Sequence, residues 1–234
     1  MNTITIQKKA LNIYAVFNQR NFFYLIGTII SATLTLGAWQ GWLPMQLTEV
    51  FGFITGAICV WLVVKDNIWN WPVGIINNIF YVSLFWGAQL YADMALQVVY
   101  IVLGGLGWYW WLKGGENKTE LPIGNIKPTE IIALSAIGIA CTYGMTLYLQ
   151  SVNDSAPFLD ALTTVMSLVA QYMLTKKYLE NWYVWIAADV IYIGLYFYKG
   201  LALTAVLYGI FLTMCLIGLK AWEKKSINNP HLHE

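Results

Sequence analysis

Long apolar runs follow one another along the chain, each interrupted by a few charged residues, Pro or Gly. A helix needs about 20 apolar residues to cross the hydrocarbon core of a bilayer. Division of the sequence at the interruptions predicts an all-α integral membrane protein with eight transmembrane helices. Their predicted bounds are 22–39, 46–64, 70–88, 91–112, 129–149, 157–175, 181–198 and 201–221. Residues 1–21 are predicted to form a cytoplasmic N-terminal segment, and residues 222–234 a cytoplasmic tail.

The composition agrees with this pattern, because 59% of the 234 residues are hydrophobic and only 11% are charged. That is too little polar surface to cover one ordinary soluble core. The net charge of +1 offers no field that would attract nucleic acid. The three Cys residues lack the short paired spacings of metal or redox motifs. We therefore expect no nucleic-acid partner, no metal and no cofactor.

The distribution of basic residues orients the predicted helices. If all eight cross the membrane, 12 of the 13 Lys and Arg residues lie at the chain ends or in the even-numbered connections. Only Lys199 falls on the other side. Because Lys and Arg near membrane helices are retained in the cytoplasm, both termini are predicted to be cytoplasmic.

The sequence contains an internal repeat. Shifted by 111 positions, residues 65–113 align without a gap on residues 176–224, and 12 of the 49 columns are identical. Such self-similarity indicates a duplication. It predicts two three-helix repeats, 46–112 and 157–221. Three spans would invert the second repeat, but the linker helix 129–149 adds a fourth crossing, so the two repeats are predicted to be parallel. The helix 22–39 is then an additional first helix. Parallel repeats of this kind are one plan of membrane transporters, with the substrate site near the midplane between the halves.

The repeat aligns the pair Asn70-Trp71 with the pair Asn181-Trp182. In the predicted helix that begins at Asn181, the side chains of Trp182, Trp185 and Asp189 lie on one face. Asp189 lies about 10 Å inside that helix, at 1.5 Å per residue. A carboxylate at that depth is expected to face an aqueous pocket or a partner. A structural hydrogen bond or a protonated acid is the alternative.

In the first repeat, the corresponding helix places Trp71, Gly74 and Asn78 on one face. An Asn in hydrocarbon must face protein or a water-filled cavity. A kink near the start of this helix would rotate it, so Asn77 stays open beside Asn78 as the residue that faces the cavity.

Further candidates lie on the third helix of each repeat. Gln97 and Tyr100 share a polar and aromatic stripe, and Gln97 is too central for the interfacial aromatic belt to explain it. Thr204 and Tyr208 are plausible contributors from the second repeat, where Tyr208 corresponds to Gln97.

These residues form motifs that resemble one known family. The motifs are Trp182-x-x-Trp185-x-x-x-Asp189, Gln97-x-x-Tyr100 and Gly107-Trp108-x-x-Trp111, preceded by the stretch LYADMALQ. They resemble the PnuC family of nicotinamide riboside transporters over about Trp61 to Trp222. The resemblance implies a SWEET-like fold of two three-helix units joined by a linker helix.

The resemblance also implies a function, namely uptake of the vitamin B3 form nicotinamide riboside through the cell (inner) membrane. It implies facilitated diffusion from an alternating-access site between the repeats, with trapping by a cytosolic riboside kinase for NAD biosynthesis. The expected partners are the riboside and the lipid bilayer, and a homo-oligomer such as a trimer stays open. Trp faces can stack on the cationic pyridinium ring, while Gln97, Asn78 and Asp189 could bind its carboxamide and ribose.

Three alternatives remain beside this interpretation. One is a transporter of another vitamin, nucleoside or sugar on the same scaffold. Another is a channel or a proton-coupled transporter that uses Asp189 as a relay. The third is a membrane enzyme, which would need clustered acids, His or a nucleophile and base near one interface. Only scattered carboxylates occur, so we expect no enzymatic activity.

Overall fold

The structure of the protein, a computed structural model, describes residues 25, 27–43, 46–87, 89 and 91–227. The predicted N-terminal segment 1–21 and the final part of the predicted tail, 228–234, lie outside the described residues.

Within the described residues the regular structure is helical, apart from one isolated parallel bridge. A short 3₁₀ turn, Glu116–Lys118, follows the fourth helix. The α-helices are α1 (Gly27–Trp39), α2 (Leu47–Val64), α3 (Asn70–Gly87), α4 (Tyr91–Lys113), α5 (Pro128–Ser151), α6 (Pro157–Thr175), α7 (Asn181–Tyr198) and α8 (Ala202–Ile227). These bounds lie close to the predicted ones, but α8 continues past residue 221 to Ile227.

The bounds repeat at the spacing found in the sequence. Helices α3 and α7 both have 18 residues and begin at an Asn-Trp pair, Asn70 and Asn181. The helices before them end at Val64 and Thr175. Both differences equal 111 residues, so the two halves form the same elements in the same register.

The chain divides into two compact units, residues 1–54 and 55–234. In the first, α1 ends in a turn where the Trp42 N–H donates to the Gly37 carbonyl at 2.8 Å and Gly41 adopts a φ of +72°. In the second, α3 packs along α4 and α7 along α8. Helix α6 contacts α4, α5 and α7, so it joins the two halves of this unit.

Among the described residues, five helices are long and apolar enough to cross a membrane: α2, α4, α5, α6 and α8. The 18-residue helices α3 and α7 are not among them. Both carry polar residues within the helix, Asn77 and Asn78 in α3 and Asp189 in α7. Candidate residues also lie on α4 and α8. The chain is therefore a helical multi-pass membrane protein.

Candidate functional site

Four buried Trp side chains form a row that we call the tryptophan cluster. Trp71 meets Trp111 edge to face, with ring centroids 5.3 Å apart and an interplanar angle of 89°. Trp182 meets Trp222 in the same way, at 5.5 Å and 88°. Trp111 and Trp222 join the two pairs at 5.9 Å. Edge-to-face contact is a favoured arrangement of aromatic rings, and both repeats contribute it identically.

Two glycines make room for this cluster. A Cβ at Gly107 would overlap the six-membered ring of Trp71, and a Cβ at Gly218 would overlap that of Trp182. Gly107 and Gly218 correspond in the repeat. The close approach of helix to ring therefore explains why both positions lack a side chain.

The tryptophan cluster also ties the repeats together by hydrogen bonds. The Trp111 Nε1–H donates to the Leu174 carbonyl at 3.1 Å, and the Trp222 Nε1–H donates to the Val63 carbonyl at 3.0 Å. Val63 and Leu174 correspond in the repeat and lie in the last turns of α2 and α6. Carbonyls there have no partner within their own helix, so an indole of each repeat caps a helix of the other.

An ion pair lies beside the cluster, and it too joins corresponding residues. Lys177 Nζ is 2.7 Å from Asp66 Oδ1, and both side chains are buried. Lys225 also pairs with Asp66. The Lys177 ammonium lies 4.5 Å from the centroid of the Trp111 ring, close enough for a cation–π attraction. Burial lowers the pKa of Lys177, while the Asp66 charge acts in the opposite direction.

Asp66 and Lys177 both adopt left-handed backbone conformations, with φ of +52° and +58°. Each lies just after the end of its helix, where Gly is the usual residue. A non-Gly residue in this region is uncommon and slightly strained. The helix ends therefore retain charged side chains at a backbone cost.

The connection between α4 and α5 packs under the cluster. Ile123 is buried against the tryptophans. Gly124 donates to the Lys177 carbonyl at 3.2 Å and accepts from the Leu179 N–H at 2.8 Å. A cavity of about 180 Å³ lies here, lined by Asp66, Glu120, Leu121, Pro122, Ile123, Lys177, Lys225 and Ser226. This connection covers the end of the second unit at which the tryptophan cluster lies.

Glu130 holds the start of α5 to the second repeat. Its carboxylate accepts from the Tyr172 and Tyr178 hydroxyls, each at 2.8 Å. Burial, and then the hydrogen bond to Glu130, raises the pKa of Tyr178. The Ile126 N–H donates to Glu180 at 3.1 Å. These contacts fix the connection against the helices that carry the cluster.

Farther along α7, Asp189 is buried, with 4% of its surface exposed. The Cys215 thiol of α8 donates to Asp189 Oδ2 at 3.4 Å. A thiol is a weak donor, so this carboxylate has no strong partner among the hydrogen bonds and ion pairs of the described residues. In the first repeat, Asn77 is buried and donates to the Thr55 hydroxyl of α2, while Asn78 is half-buried.

Aromatic rings fill the space near the far half of α7, in what we call the tyrosine group: Tyr192, Tyr196 and Tyr208. Tyr208 lies 4.6 Å from Tyr192 and 5.1 Å from Tyr196, measured between centroids. The Ser167 hydroxyl is 3.4 Å from that of Tyr192, and Tyr100 lies near both residues. The structure thus brings Tyr100 and Tyr208 to one cluster. Sequence reasoning missed Tyr192 and Tyr196, although their spacing of four residues on one helix could have indicated them.

The other end of α7 carries one further ion pair. Lys199 Nζ lies 2.7 Å from Asp160 Oδ2 at the start of α6. Asp160 lies in the first turn of α6, where a negative charge is stabilised by the helix N-terminus. Lys199, the single basic residue predicted for that side of the membrane, is its partner.

Of the ten predicted site residues, four are buried and six are half-buried; the buried set comprises Asn77, Asp189, Trp71 and Trp182. Trp71 and Trp182 are 3% and 1% exposed within the tryptophan cluster, and their indole N–H groups have no hydrogen-bond partner in the described part of the chain. The half-buried set comprises Asn78, Gln97, Tyr100, Trp185, Thr204 and Tyr208. Trp185 packs against the cluster one turn before Asp189. Direct binding by either set stays a prediction.

No group of three or more His, Cys, Asp or Glu side chains suited to a metal occurs in the described ranges. Some buried polar groups instead pair between neighbouring helices, as Asn77 does with Thr55 and Asp189 with Cys215. That arrangement is typical of membrane transport proteins, whose substrate sites lie between helical repeats.

Comparison with known proteins narrows this class. The family model described as nicotinamide mononucleotide transporter matches residues 46–224. The nicotinamide riboside transporter PnuC of Escherichia coli is 25% identical over 86% of this chain and 94% of its own. The riboflavin/roseoflavin transporter RibM of Streptomyces davaonensis is 25% identical over 76% of this chain and 85% of its own.

One solved structure, described as the crystal structure of the vitamin B3 transporter PnuC, shares the fold. Its TM-score is 0.65, with 24% identity over 87% of this chain and 90% of that one. Because the family model covers more than half of the chain, the protein belongs to the nicotinamide mononucleotide transporter family, the PnuC family. Its curated relatives are named as transporters, which argues against an enzyme.

Proposed function

We propose that the protein takes up nicotinamide riboside across the inner membrane by facilitated diffusion. The observation that carries the proposal is the similarity, over most of the chain, to relatives named as nicotinamide riboside transporters. The enclosed aromatic and polar interior supports it, since this substrate combines a flat cationic ring with a ribose.

The proposed architecture has eight spans, with a linker helix between two parallel three-helix repeats and both termini in the cytoplasm. The site lies between the repeats and opens to the two sides in turn. The tryptophan cluster, the Asp66–Lys177 pair and the connection under them then form the cytoplasmic gate. Support comes from the crossing contacts, because opening this end would separate Trp111 from Leu174 and Trp222 from Val63.

Ligand contacts are proposed for both repeats. Trp185 supplies a ring beside Asp189, and Asp189 accepts hydrogen bonds from the ribose hydroxyls, because a carboxylate with only a weak thiol partner keeps acceptor capacity. Tyr100 lies within reach of the same interior through Ser167. The remaining proposed contacts are Asn77, Asn78, Gln97, Trp71, Trp182, Thr204 and Tyr208. A cytosolic kinase that phosphorylates the riboside would keep it inside.

Riboflavin is the second candidate substrate, because the Streptomyces relative is named as a riboflavin transporter. It too presents a flat heteroaromatic ring and a polyhydroxylated chain. Proton coupling through Asp189 is the alternative mechanism, favoured by the burial of this carboxylate.

The test is uptake into vesicles that contain the purified protein and no ion gradient. We expect labelled nicotinamide riboside to equilibrate, with competition by unlabelled riboside and not by the mononucleotide, riboflavin or thiamine. Asp189→Asn vesicles with the same protein content are the matched control and should lose most of the uptake. Competition by riboflavin would assign the second substrate. Uptake that needs a proton gradient would reject facilitated diffusion.

A further inference from the structure

The connection between α4 and α5, residues 114–127, runs from the first repeat to the second; we call it the strap. Its first half folds back onto the end of α4, where the Leu121 N–H donates to the Trp111 carbonyl at 3.0 Å. A Cβ at Gly115 would overlap the Glu120 carbonyl oxygen. The tight reversal at the start of the strap therefore depends on a residue without a side chain, and it holds the strap against α4.

The second half of the strap is anchored to the second repeat. Gly124 accepts from the Leu179 N–H at 2.8 Å and donates to the Lys177 carbonyl at 3.2 Å, and both partners lie in the turn between α6 and α7. The Ile126 N–H donates to Glu180 at 3.1 Å, just before α7 begins. The strap therefore bonds the end of α4 to the α6–α7 turn.

Only a short piece of chain separates these two anchors. Leu121 and Gly124 are three residues apart, and three residues of fully extended chain reach about 10 Å. Between them, Ile123 is buried against the tryptophan cluster, and the ring of Pro122 fixes one backbone angle. While both anchors hold, the end of α4 cannot move far from the α6–α7 turn.

The contact on the other side of the tryptophan cluster is of a different kind. Helix α8, the equivalent of α4, continues as a helix to Ile227. Its end contacts the α2–α3 turn through the ion pair of Lys225 with Asp66, and the Lys225 side chain is 53% exposed. An ion pair that reaches water is weak and is screened by salt. Since the indole hydrogen bonds occur on both sides, the strap distinguishes one side from the other.

We propose that the strap is a tether that makes the cytoplasmic gate open unequally. The end of α8 separates widely from the α2–α3 turn, while the end of α4 separates from the α6–α7 turn only as far as the strap allows. The inference rests on the proposed function, because it concerns the gate proposed there. A substrate that leaves through this gate then passes beside the end of α8.

Two matched pairs of positions report the two sides. Lys113 and Lys176, at the end of α4 and just after α6, form the strap-side pair; Lys224 and Lys65, their equivalents in the repeat, form the α8-side pair. Each pair is changed to Cys and spin-labelled. The distance between the labels is measured by electron spin resonance in bilayer nanodiscs, with and without nicotinamide riboside. The unchanged protein, labelled in the same way, gives the contribution of its own Cys residues.

We expect the α8-side pair to show a second, longer distance whose share changes when riboside is added. The shift in the strap-side pair should be at most about half as large, because the strap limits it. The change Lys176→Cys also removes the cation–π contact with Trp110, in which the ammonium lies 3.8 Å from the ring centroid. Any restraint left on this pair therefore comes from the strap and not from that contact.

A longer strap tests the tether itself. Insertion of several Gly and Ser residues between Pro122 and Ile123 lies between the two anchors, and each added residue extends the reach by about 3.4 Å. We expect the strap-side pair then to gain a longer distance like that of the α8-side pair. The same insertion between Asn117 and Lys118, at the exposed tip of the reversal, leaves the anchors three residues apart and is the control.

Two results would overturn the inference: equal lengthening of the two pairs with the strap unchanged, or an insertion after Pro122 that leaves the strap-side distances as they were. If neither pair shows a longer distance in any condition, the inference and the proposed gate are both wrong. A failure of the proposed substrate is a separate result. Riboside then alters neither pair, and the ligand-free distances still decide whether the opening is unequal.

Discussion

The tryptophan cluster and the middle of α7 differ in how closely the two repeats match. In the cluster every feature occurs twice, including the edge-to-face Trp pairs, the Gly beside each ring and the indole bond to the opposite helix. In the middle the corresponding residues of the two repeats differ. Asp189 corresponds to Asn78, Tyr208 to Gln97 and Cys215 to Gly104.

This comparison separates two physical tasks. A contact that must close symmetrically between two copies of one unit needs the same residues in both. A small asymmetric ligand needs different groups on its two sides, so identity between the repeats is lost where the ligand is proposed to bind. We therefore expect matching residues at the proposed gate and different residues at the proposed binding site.

The largest expected effect comes from the Asp66–Lys177 ion pair beside the tryptophan cluster, where the corresponding residues of the two repeats differ. Asp66→Ala leaves Lys177 buried without its carboxylate, and we expect the free energy of unfolding to fall by about 3–5 kcal/mol. The double variant Asp66→Lys with Lys177→Asp exchanges the charges between corresponding positions and should recover part of this loss. Thermal unfolding in detergent measures both. A double variant less stable than either single variant would contradict the ion-pair explanation.

Gly107→Ala and Gly218→Ala test the symmetry directly. Each Cβ would overlap a buried Trp ring, and overpacking of this kind costs about 1–3 kcal/mol. We expect the two losses to agree within experimental error, measured by the same unfolding assay. Gly209→Ala, where a Cβ meets nothing within 4 Å, is the control and should not lose stability. Unequal losses would show that the two halves of the cluster are not equivalent.

Asp189→Asn tests the asymmetric middle. Loss of a hydrogen bond to a charged acceptor costs about 1.5–3 kcal/mol, so riboside affinity should fall by about 10-fold to 100-fold in calorimetry. The melting temperature should stay the same or rise, because a buried carboxylate without a strong partner destabilises the fold. A fall in melting temperature with unchanged affinity would instead identify Asp189 as a structural residue.

Cys215→Ala should have the smallest effect. Its thiol is the weak donor to Asp189. We therefore expect the free energy of riboside binding to weaken by about 0.5 kcal/mol, which lowers the affinity slightly more than twofold. Titration of the riboside by Trp fluorescence measures it. A loss as large as that of Asp189→Asn would mean that the thiol controls the carboxylate.

Much of the fold follows from the sequence. The apolar runs give the helices within a few residues, and the 111-residue shift gives their correspondence. Both copies of the Asn-Trp helix, α3 and α7, form full helices of 18 residues, although neither is among the five helices that are clearly apolar enough to span a membrane. The predicted last span ends at residue 221, and helix α8 continues beyond it to Ile227 with Lys224 and Lys225 in its last turn.

The site was less predictable. Helical periodicity places Trp182 and Asp189 on one face, and both are buried, but periodicity does not reveal which face is already covered by the other repeat. Trp71 and Trp182 were expected to line a cavity, and the structure buries both side chains in the tryptophan cluster. The Asp66–Lys177 ion pair was not predicted. The alignment of one repeat on the other shows which residues correspond, but it does not show that corresponding residues contact each other.

The buried indole N–H groups of Trp71 and Trp182 affect the stability of the closed state of the proposed cytoplasmic gate. Each buries a donor without an acceptor in the described chain, which costs about 1–3 kcal/mol per group. Water entering on separation of the repeats would satisfy both. If this end opens as proposed, hydration of these two indoles would offset part of the cost of breaking the Trp111–Leu174 and Trp222–Val63 hydrogen bonds.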